Sequence, residues 1–478
     1  MRRGLAPLPG LLAAVGLTAG SLAQERPPNF VVVFTDDQGY ADVGCYGAVG
    51  FETPWLDRMA AEGTRFTSFY VAQAVCSASR AALLTGCYPN RVNIYGALGP
   101  RATHGLHPDE ETIAEVLKAR GYATGIFGKW HLGHLRPFLP LRHGFDEYFG
   151  LPYSNDMWPL TYQGDPMPPE RAKSKHPFPP LIEGDERVGE VASLADQATL
   201  TRRYTERAVA FIEEHADEPF FLYVPHSMPH TPLACSPEFR GTSDTPYGDV
   251  IREIDWSVGR ILETLDRLGL DERTLVLFTS DNGPWLNFGP FAGSALPLRE
   301  GKGTMFEGGC RVPCIVRWPG RIPAGRVVDG IASTIDVLPT LAELAGARMP
   351  ERKIDGVSLA GALLDEGAPW PREGFLFYYG RQLQAVREGK WKLHLPHGYR
   401  SYERVEPNTD GGGGPYAWGR TSFELYDLEE DVEERRNVLD LHPDVVERLS
   451  QIAARARKEL GEGERAGEGQ RPHGTSDD

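Results

Sequence analysis

Two groups of residues in this chain have types and positions suited to chemistry on an oxyanion. The first supplies oxygen ligands. Asp36 and Asp37 are adjacent, and Asp281-Asn282 lies far downstream; together they offer three anionic ligands and one neutral one. That set suits a hard divalent cation such as calcium or magnesium better than zinc. The second group is cationic and proton-donating. Arg80, Lys129, His131, His230 and Lys302 could neutralise an anionic ester and protonate its leaving group. Between them lies Cys76-Ser77-Ala78-Ser79-Arg80, a cysteine and a fixed cation at the opening of an apparent helix. Each piece also has a purely structural reading. The acidic pairs could be Asx turns, Gly301-Lys302-Gly303 a solvated turn, and Pro229-His230-Thr231-Pro232 a rigid one.

The elements that must position these residues read as an alternation of helices and strands. Apolar runs at 30–34, 122–127, 220–224 and 275–279 predict strands, and helices are predicted near 55–62, from 76, and over 112–120, 205–214 and 335–345. The clearest helix is 250–268, where Ile251, Ile254, Val258, Ile261, Leu265 and Leu268 fall three or four apart on one face. Such an order predicts an α/β fold with a large mixed sheet sandwiched by helices. Asp36-Asp37, Lys129 and His131, His226 and His230, and Asp281-Asn282 all follow predicted strands, at the end where open α/β sheets form their ligand crevice. After a Pro-rich, charged link near 367–372, short strands at 375–379, 384–387, 391–395 and 423–427 and a helix at 444–460 predict a smaller C-terminal α+β domain with a short antiparallel sheet. The resulting division is a leader over 1–23, a catalytic domain over 27–367, the second domain over 368–460 and a disordered tail over 461–478.

The leader has basic Arg2 and Arg3, an apolar stretch from Leu11 to Ala19, and small Ser21 and Ala23 before Gln24, the pattern of a secretory signal, so export to a periplasm or the extracellular space is expected. No segment reaches the roughly 18 uninterrupted apolar residues of a membrane span. Net charge is −16, and −18 once Arg2 and Arg3 are removed with the leader, which argues against nucleic acid or an anionic membrane as a partner. It does not argue against a small anionic substrate, because distant exposed charges are screened within about 10 Å. Six cysteines allow three disulfides on paper, but a domain of this size does not need them.

Taken in order, Thr35-Asp36-Asp37-Gln38-Gly39, the run from Cys76 to Gly86, Gly128-Lys129-Trp130-His131-Leu132-Gly133, Pro229-His230-Thr231-Pro232, Ser280-Asp281-Asn282-Gly283 and Gly301-Lys302-Gly303 resemble the type I, formylglycine-dependent sulfatases over nearly the whole chain. The branches nearest in look are arylsulfatase A and N-acetylgalactosamine-6-sulfatase. The resemblance implies an alkaline-phosphatase-like fold and oxidation of Cys76 to formylglycine by a maturation enzyme. It implies calcium, ahead of magnesium, held by Asp36, Asp37, Asp281, Asn282 and an oxygen at position 76. Arg80 and Lys129 would orient the hydrated aldehyde, His230 and Lys302 would bind sulfate and assist the leaving alcohol, and His131 would help expel sulfate from the second hydroxyl. Lys129 would also contact substrate, and Ser154, in Leu151-Pro152-Tyr153-Ser154-Asn155-Asp156, is a further substrate-contact candidate. Cys87 departs from the pattern, which has a basic residue after Thr-Gly.

The expected substrate is a small or oligosaccharide sulfate ester, with an aryl sulfate as a variant. Two other readings stay open at this level: a phosphonate or phosphate monoester hydrolase using the same chemistry, and a sulfated-glycan binding protein in which Cys76 stays a thiol. Trp158, His226, Trp285 and Tyr416 are candidates for the pocket rim.

Overall fold

The computed structural model describes Met1, Gly4 and residues 26–476, so the expected leader over 1–23 lies, apart from Met1 and Gly4, outside the described residues. Its centre is a ten-stranded sheet. In chain order the strands are β1 (Asn29–Thr35), β2 (Thr64–Phe66), β3 (Ala123–Lys129), β4 (Glu147–Leu151), β5 (Pro180–Glu183), β6 (Glu186–Glu190), β7 (Phe220–Pro225), β8 (Thr274–Ser280), β9 (Cys314–Arg317) and β10 (Arg326–Val328). Their order across the sheet is β10-β2-β9-β8-β1-β7-β3-β4-β5-β6. The middle five, β8, β1, β7, β3 and β4, run parallel, while β9 joins β8 antiparallel and β5 joins β4 antiparallel.

Burial explains that arrangement. β1 (NFVVVFT) and β8 (TLVLFTS) are buried at every position, as parallel strands covered on both faces must be. One cover consists of α1 (Pro54–Ala61), α4 (Leu200–Glu214) and α5 (Pro246–Arg267), whose apolar residues form one core with Val31, Val33, Val224 and Phe278. The other contains α2 (Cys76–Thr85), α3 (Ile113–Lys118) and α6 (Val337–Ala345), packed with Phe30, Val32 and Phe34. The helix predicted over 250–268 is α5, whose start is fixed by Thr245, which accepts a hydrogen bond from the Gly248 amide, and by Pro246 at its first position. Unlike α5, α2 is buried on every side, so its polar Ser77, Ser79 and Arg80 need partners inside the protein.

Two glycines let the strand ends crowd together. A Cβ at Gly150 would lie 1.7 Å from the Gly128 carbonyl oxygen, and one at Gly128 would lie 2.0 Å from that of Pro225. No larger residue fits either position, and the strand ends bearing Lys129 and His226 are thereby held in contact.

The C-terminal domain carries the antiparallel sheet β11 (Gly374–Tyr379), β12 (Gln382–Glu388), β13 (Trp391–His394) and β16 (Glu424–Asp427), in that order, backed by α7 (Pro443–Leu460). Between β13 and β16 a separate hairpin forms from β14 (His397–Ser401) and β15 (Ala417–Thr421), which the sequence reading did not foresee. A buried ion cluster ties this domain to the first. The Lys392 ammonium meets Glu307 at 2.8 Å and Glu434 at 2.9 Å, and all three side chains are fully buried.

The disordered tail expected over 461–478 is corrected here for its described residues, 461–476. After α7 the chain returns to the catalytic domain, where the Arg471 amide donates to the Arg91 carbonyl, its guanidinium grips both Glu110 oxygens at 2.7 Å, and Gly474-Thr475 pairs antiparallel with His104-Gly105. A polar composition predicts disorder because it lacks apolar area to bury. Here the catalytic domain provides the hydrogen-bond partners instead. None of the six cysteines is in a disulfide. No helix among the described residues is long and apolar enough to cross a membrane.

Candidate active site

The parallel strands end on one side of the sheet, and the residues just beyond them converge there. Asp36 and Asp37 follow β1, Asp281 and Asn282 follow β8, Lys129 closes β3, and His230 lies on the segment after β7. The N-terminus of α2 brings Cys76 to the same point, 3.6 Å from an Asp36 oxygen and 3.6 Å from the Lys302 ammonium. Cys76, His131, Ser154, His230 and Lys302 line one cavity of about 180 Å³.

Beneath it lies a buried charge network, in which Arg80, Asp36, Asp281 and Lys129 have no exposure. Arg80 contacts Asp281 at 2.8 Å and Asp36 at 3.5 Å, and donates to the Lys129 carbonyl at 2.9 Å. Lys129 holds Asp36 and reaches the Ser154 hydroxyl at 3.2 Å. Lys302 meets Asp37 at 2.6 Å, and His230 Nε2 stands 3.6 Å from the same carboxylate. Asp37 and His131 both adopt a left-handed backbone, at φ 65° each. For non-glycine residues that conformation is held by the surroundings and concentrates at working sites.

Burial and neighbours set the protonation states. Burial alone would push the Asp36 carboxyl up, but Lys129, His230, Arg80 and Lys302 outweigh it and hold the group well below the usual range. Asp281 moves the other way, raised by burial and by Asp36 beside it. His131 is driven well below its ordinary value by burial and by Lys129 and Arg80, so the ring is neutral; neither of its nitrogens has a hydrogen-bond partner in the protein. The Cys76 thiol is pushed far up by burial, which the Lys129 and Lys302 charges only partly offset. As a plain cysteine it would carry no thiolate at neutral pH, so it would be a poor nucleophile.

A divalent metal fits this set. Ligand atoms of Asp36, Asp37, Cys76 and His230 all lie within 4.8 Å of one another. Asn282 Nδ2 donates to Asp37 at 2.7 Å, while its Oδ1 is buried without a hydrogen-bond partner. Asp281 is not in that close group but is joined to it through Arg80, and the two close carboxylates with an orphaned amide oxygen held at Asp37 are hard oxygen donors, the kind calcium takes.

Of the expected rim residues, Trp285 lines the cavity and donates to the Tyr416 hydroxyl, whereas Trp158 and His226 are buried away from it, His226 against Ser257. The sequence reading missed Asp156, Tyr379 and Arg400, which also line the cavity. Asp156 lay within a segment already singled out. Tyr379 and Arg400 belong to the C-terminal domain and gave no signal. Cys87 is buried, with the Arg471 guanidinium 3.2 Å from its sulfur, so a cation from the end of the chain stands beside the position where the family pattern has a basic residue.

Comparison with known proteins agrees with this architecture. The sulfatase family model matches residues 28–347, and the model for the C-terminal region of aryl-sulfatase matches 371–470. Human arylsulfatase A is 40% identical over 466 residues, covering 91% of this chain and 88% of the relative. The N-acetylgalactosamine-6-sulfatase of Canis lupus familiaris is 42% identical over 431 residues, covering 86% and 80%. Among solved structures, the PsFucS1 sulfatase from Pseudoalteromonas sp. superposes with a TM-score of 0.80 at 29% identity, covering 90% of each chain.

Proposed function

The chain belongs to the sulfatase family and is a sulfate ester hydrolase, and on that premise we propose that it cleaves carbohydrate sulfate monoesters with a formylglycine made from Cys76 and a calcium ion held by Asp36, Asp37, Asp281 and Asn282. The observation that carries this reading is the position of Cys76. Its Sγ, standing where the oxygens of a hydrated aldehyde would be, lies 3.6 Å from both a carboxylate of the metal set and the Lys302 ammonium.

The arithmetic of charge supports the metal. Arg80, Lys129 and Lys302 oppose Asp36, Asp37 and Asp281, so with all three carboxylates ionised the buried site alone has no surplus with which to attract an anion, and a cation would also favour ionisation of Asp281, whose pKa burial and Asp36 raise. A divalent cation held by these residues would supply the surplus, and an aldehyde hydrate at position 76 would supply two hydroxyls, one as nucleophile toward sulfur and one for release of sulfate. The chain's own residues do the remaining work. Arg80 and Lys129 anchor the floor through Asp36 and Asp281, fixing position 76. Lys302, kept charged by Asp37 although burial opposes it, is the permanent cation for the sulfate oxygens. His230, braced by the Thr231 carbonyl at Nδ1, presents Nε2 toward the leaving oxygen. His131, neutral and unpartnered, can accept the proton of the second hydroxyl. Export is part of the same reading and rests on the leader-like pattern of the first residues.

Mass spectrometry of the tryptic peptide Phe66–Arg80 from the native host tests it. The expected result is an aldehyde or its hydrate at position 76, together with turnover of sulfate esters. Active protein carrying an intact thiol there would refute the mechanism.

A further inference from the structure

The C-terminal domain contributes Tyr379 and Arg400 to the wall of the cavity. Arg400, on β14, lines the same space as Cys76, His230 and Lys302. It is held firmly against the Lys302 loop, because the neighbouring Ser401 donates to Glu300 at 2.6 Å and the Tyr402 hydroxyl donates to the Lys302 carbonyl at 2.6 Å. Gly303 permits the approach, since a Cβ there would sit 3.2 Å from Arg400 Nε.

The partners of Arg400 differ from those of the other cations lining or bordering the cavity. Lys302 is neutralised by Asp37, and Lys173 by Asp156. Arg400 is half-buried, and its guanidinium meets only phenols: Tyr379 at 3.3 Å, Tyr416 at 3.5 Å, and the Tyr416 ring face at 5.1 Å. Among the described residues it has no carboxylate partner, although the chain carries 66 acidic residues against 50 basic ones. A guanidinium has five donors in a planar fork matched to carboxylate and sulfate, and two long bonds to neutral phenols leave most of that capacity open. Beyond Trp285 and Tyr416 lies a second groove of about 620 Å³, with Tyr162 and Phe288 as aromatic walls, so there is room for a saccharide to extend outward past Arg400.

We propose that Arg400 is a specificity residue that recognises a second anionic group, a carboxylate or another sulfate, on the saccharide whose sulfate is cleaved. This rests on the sulfatase reading above and narrows its substrate class to multiply charged saccharides.

The test compares kcat/KM for three esters: a monosulfated neutral sugar, the same sugar carrying a second sulfate, and a disaccharide pairing it with a uronate. The wild-type enzyme is expected to prefer at least one doubly charged ester, and which one identifies the anion. Arg400→Gln is expected to lower that preference by about tenfold or more, as for loss of a charge-assisted hydrogen bond. Arg400→Lys, which keeps the charge, should retain a measurable part of it. A wild type indifferent to the second charge, an unchanged ratio in Arg400→Gln, or equal losses in the Gln and Lys variants would each overturn the inference. Absence of turnover on every sulfate ester by protein with converted Cys76 would instead sink the sulfatase reading, and this inference with it.

Discussion

Replacing Lys392 by methionine should unlock the C-terminal domain from the catalytic one. The ammonium serves Glu307 at 2.8 Å and Glu434 at 2.9 Å, and it also donates to the Met305 carbonyl at 2.8 Å. Without it two carboxylates stay in a fully buried site. Neither is left bare: Glu307 keeps the Tyr70 hydroxyl at 2.6 Å and Arg311 at 3.2 Å, and Glu434 keeps His394 at 2.7 Å. The loss is therefore that of one broken buried pair, about 3–5 kcal/mol, rather than two. Native-state hydrogen exchange of the amides of β13 reads it directly, with exchange expected to accelerate about 10²- to 10⁴-fold unless global unfolding sets the limit. The pH dependence gives an independent check. In the wild type, burial would raise Glu307 and Glu434, but Lys392 leads the charges that carry both below the usual range. Their contribution is thus present above the ordinary carboxylate pKa and lost as pH falls through the lowered folded values. In the variant burial wins and the folded values rise, so its contribution is present at low pH and lost on the way to neutrality. The deficit should be largest near pH 7 and narrow on acidification. Exchange within threefold of wild type at pH 7, or a deficit that widens in acid, would refute the assignment of this cluster as the tie between domains.

Other outcomes are equally specific. His143 is buried with both ring nitrogens unpartnered, and burial pushes its pKa down to about 4, so stability should be full above pH 6.5 and fall by about 3 kcal/mol as pH drops through about 4. In urea titrations across that range, His143→Phe should flatten the fall. Gly150→Ala places a methyl 1.7 Å from the Gly128 carbonyl oxygen and should displace Lys129, lowering both the melting temperature and sulfate ester turnover; wild-type values for both would contradict the packing. Calcium at about a hundredfold excess over its Kd should stabilise the protein by about 2.7 kcal/mol, and Asp37→Asn should reduce that gain. A melting curve indifferent to calcium and to chelator would remove the proposed ligand set.

The parts of the fold legible in sequence were those with a periodic signal. The all-apolar β1 and β8 and the one-sided α5 could be read because burial on two faces, or on one helical face, leaves a pattern in neighbouring residues. The site was legible for a related reason: parallel strands deliver their following residues to one edge, so Asp36, Lys129, His230 and Asp281 could be gathered without coordinates. What could not be read depends on partners distant in sequence. Arg400 reaches the cavity through a hairpin whose buried positions, His397, Ser401 and Thr421, are polar and leave no apolar pattern, and the tail after α7 is ordered by Glu110 and Arg91, more than 350 residues away. Trp158 and His226 were expected at the rim because aromatic and imidazole groups serve both cores and mouths, and only packing decides between them.

The burial of Cys76 also imposes a timetable. The residue is 2% exposed at the base of a helix enclosed on all sides, beneath a sheet that cannot close until β8 arrives to pair with β1. About 200 residues separate Cys76 from the end of β8, and at synthesis rates of about 5–20 residues per second that stretch takes roughly 10–40 s. On the proposed reading, a maturation enzyme that must grasp an extended chain would have that interval, lengthened by any delay in folding, because the thiol is buried once the helix is walled in. On the formylglycine reading proposed above, the specific activity of a preparation would report a race between oxidation and folding, and slowing translation or folding should raise it without any change in the sequence.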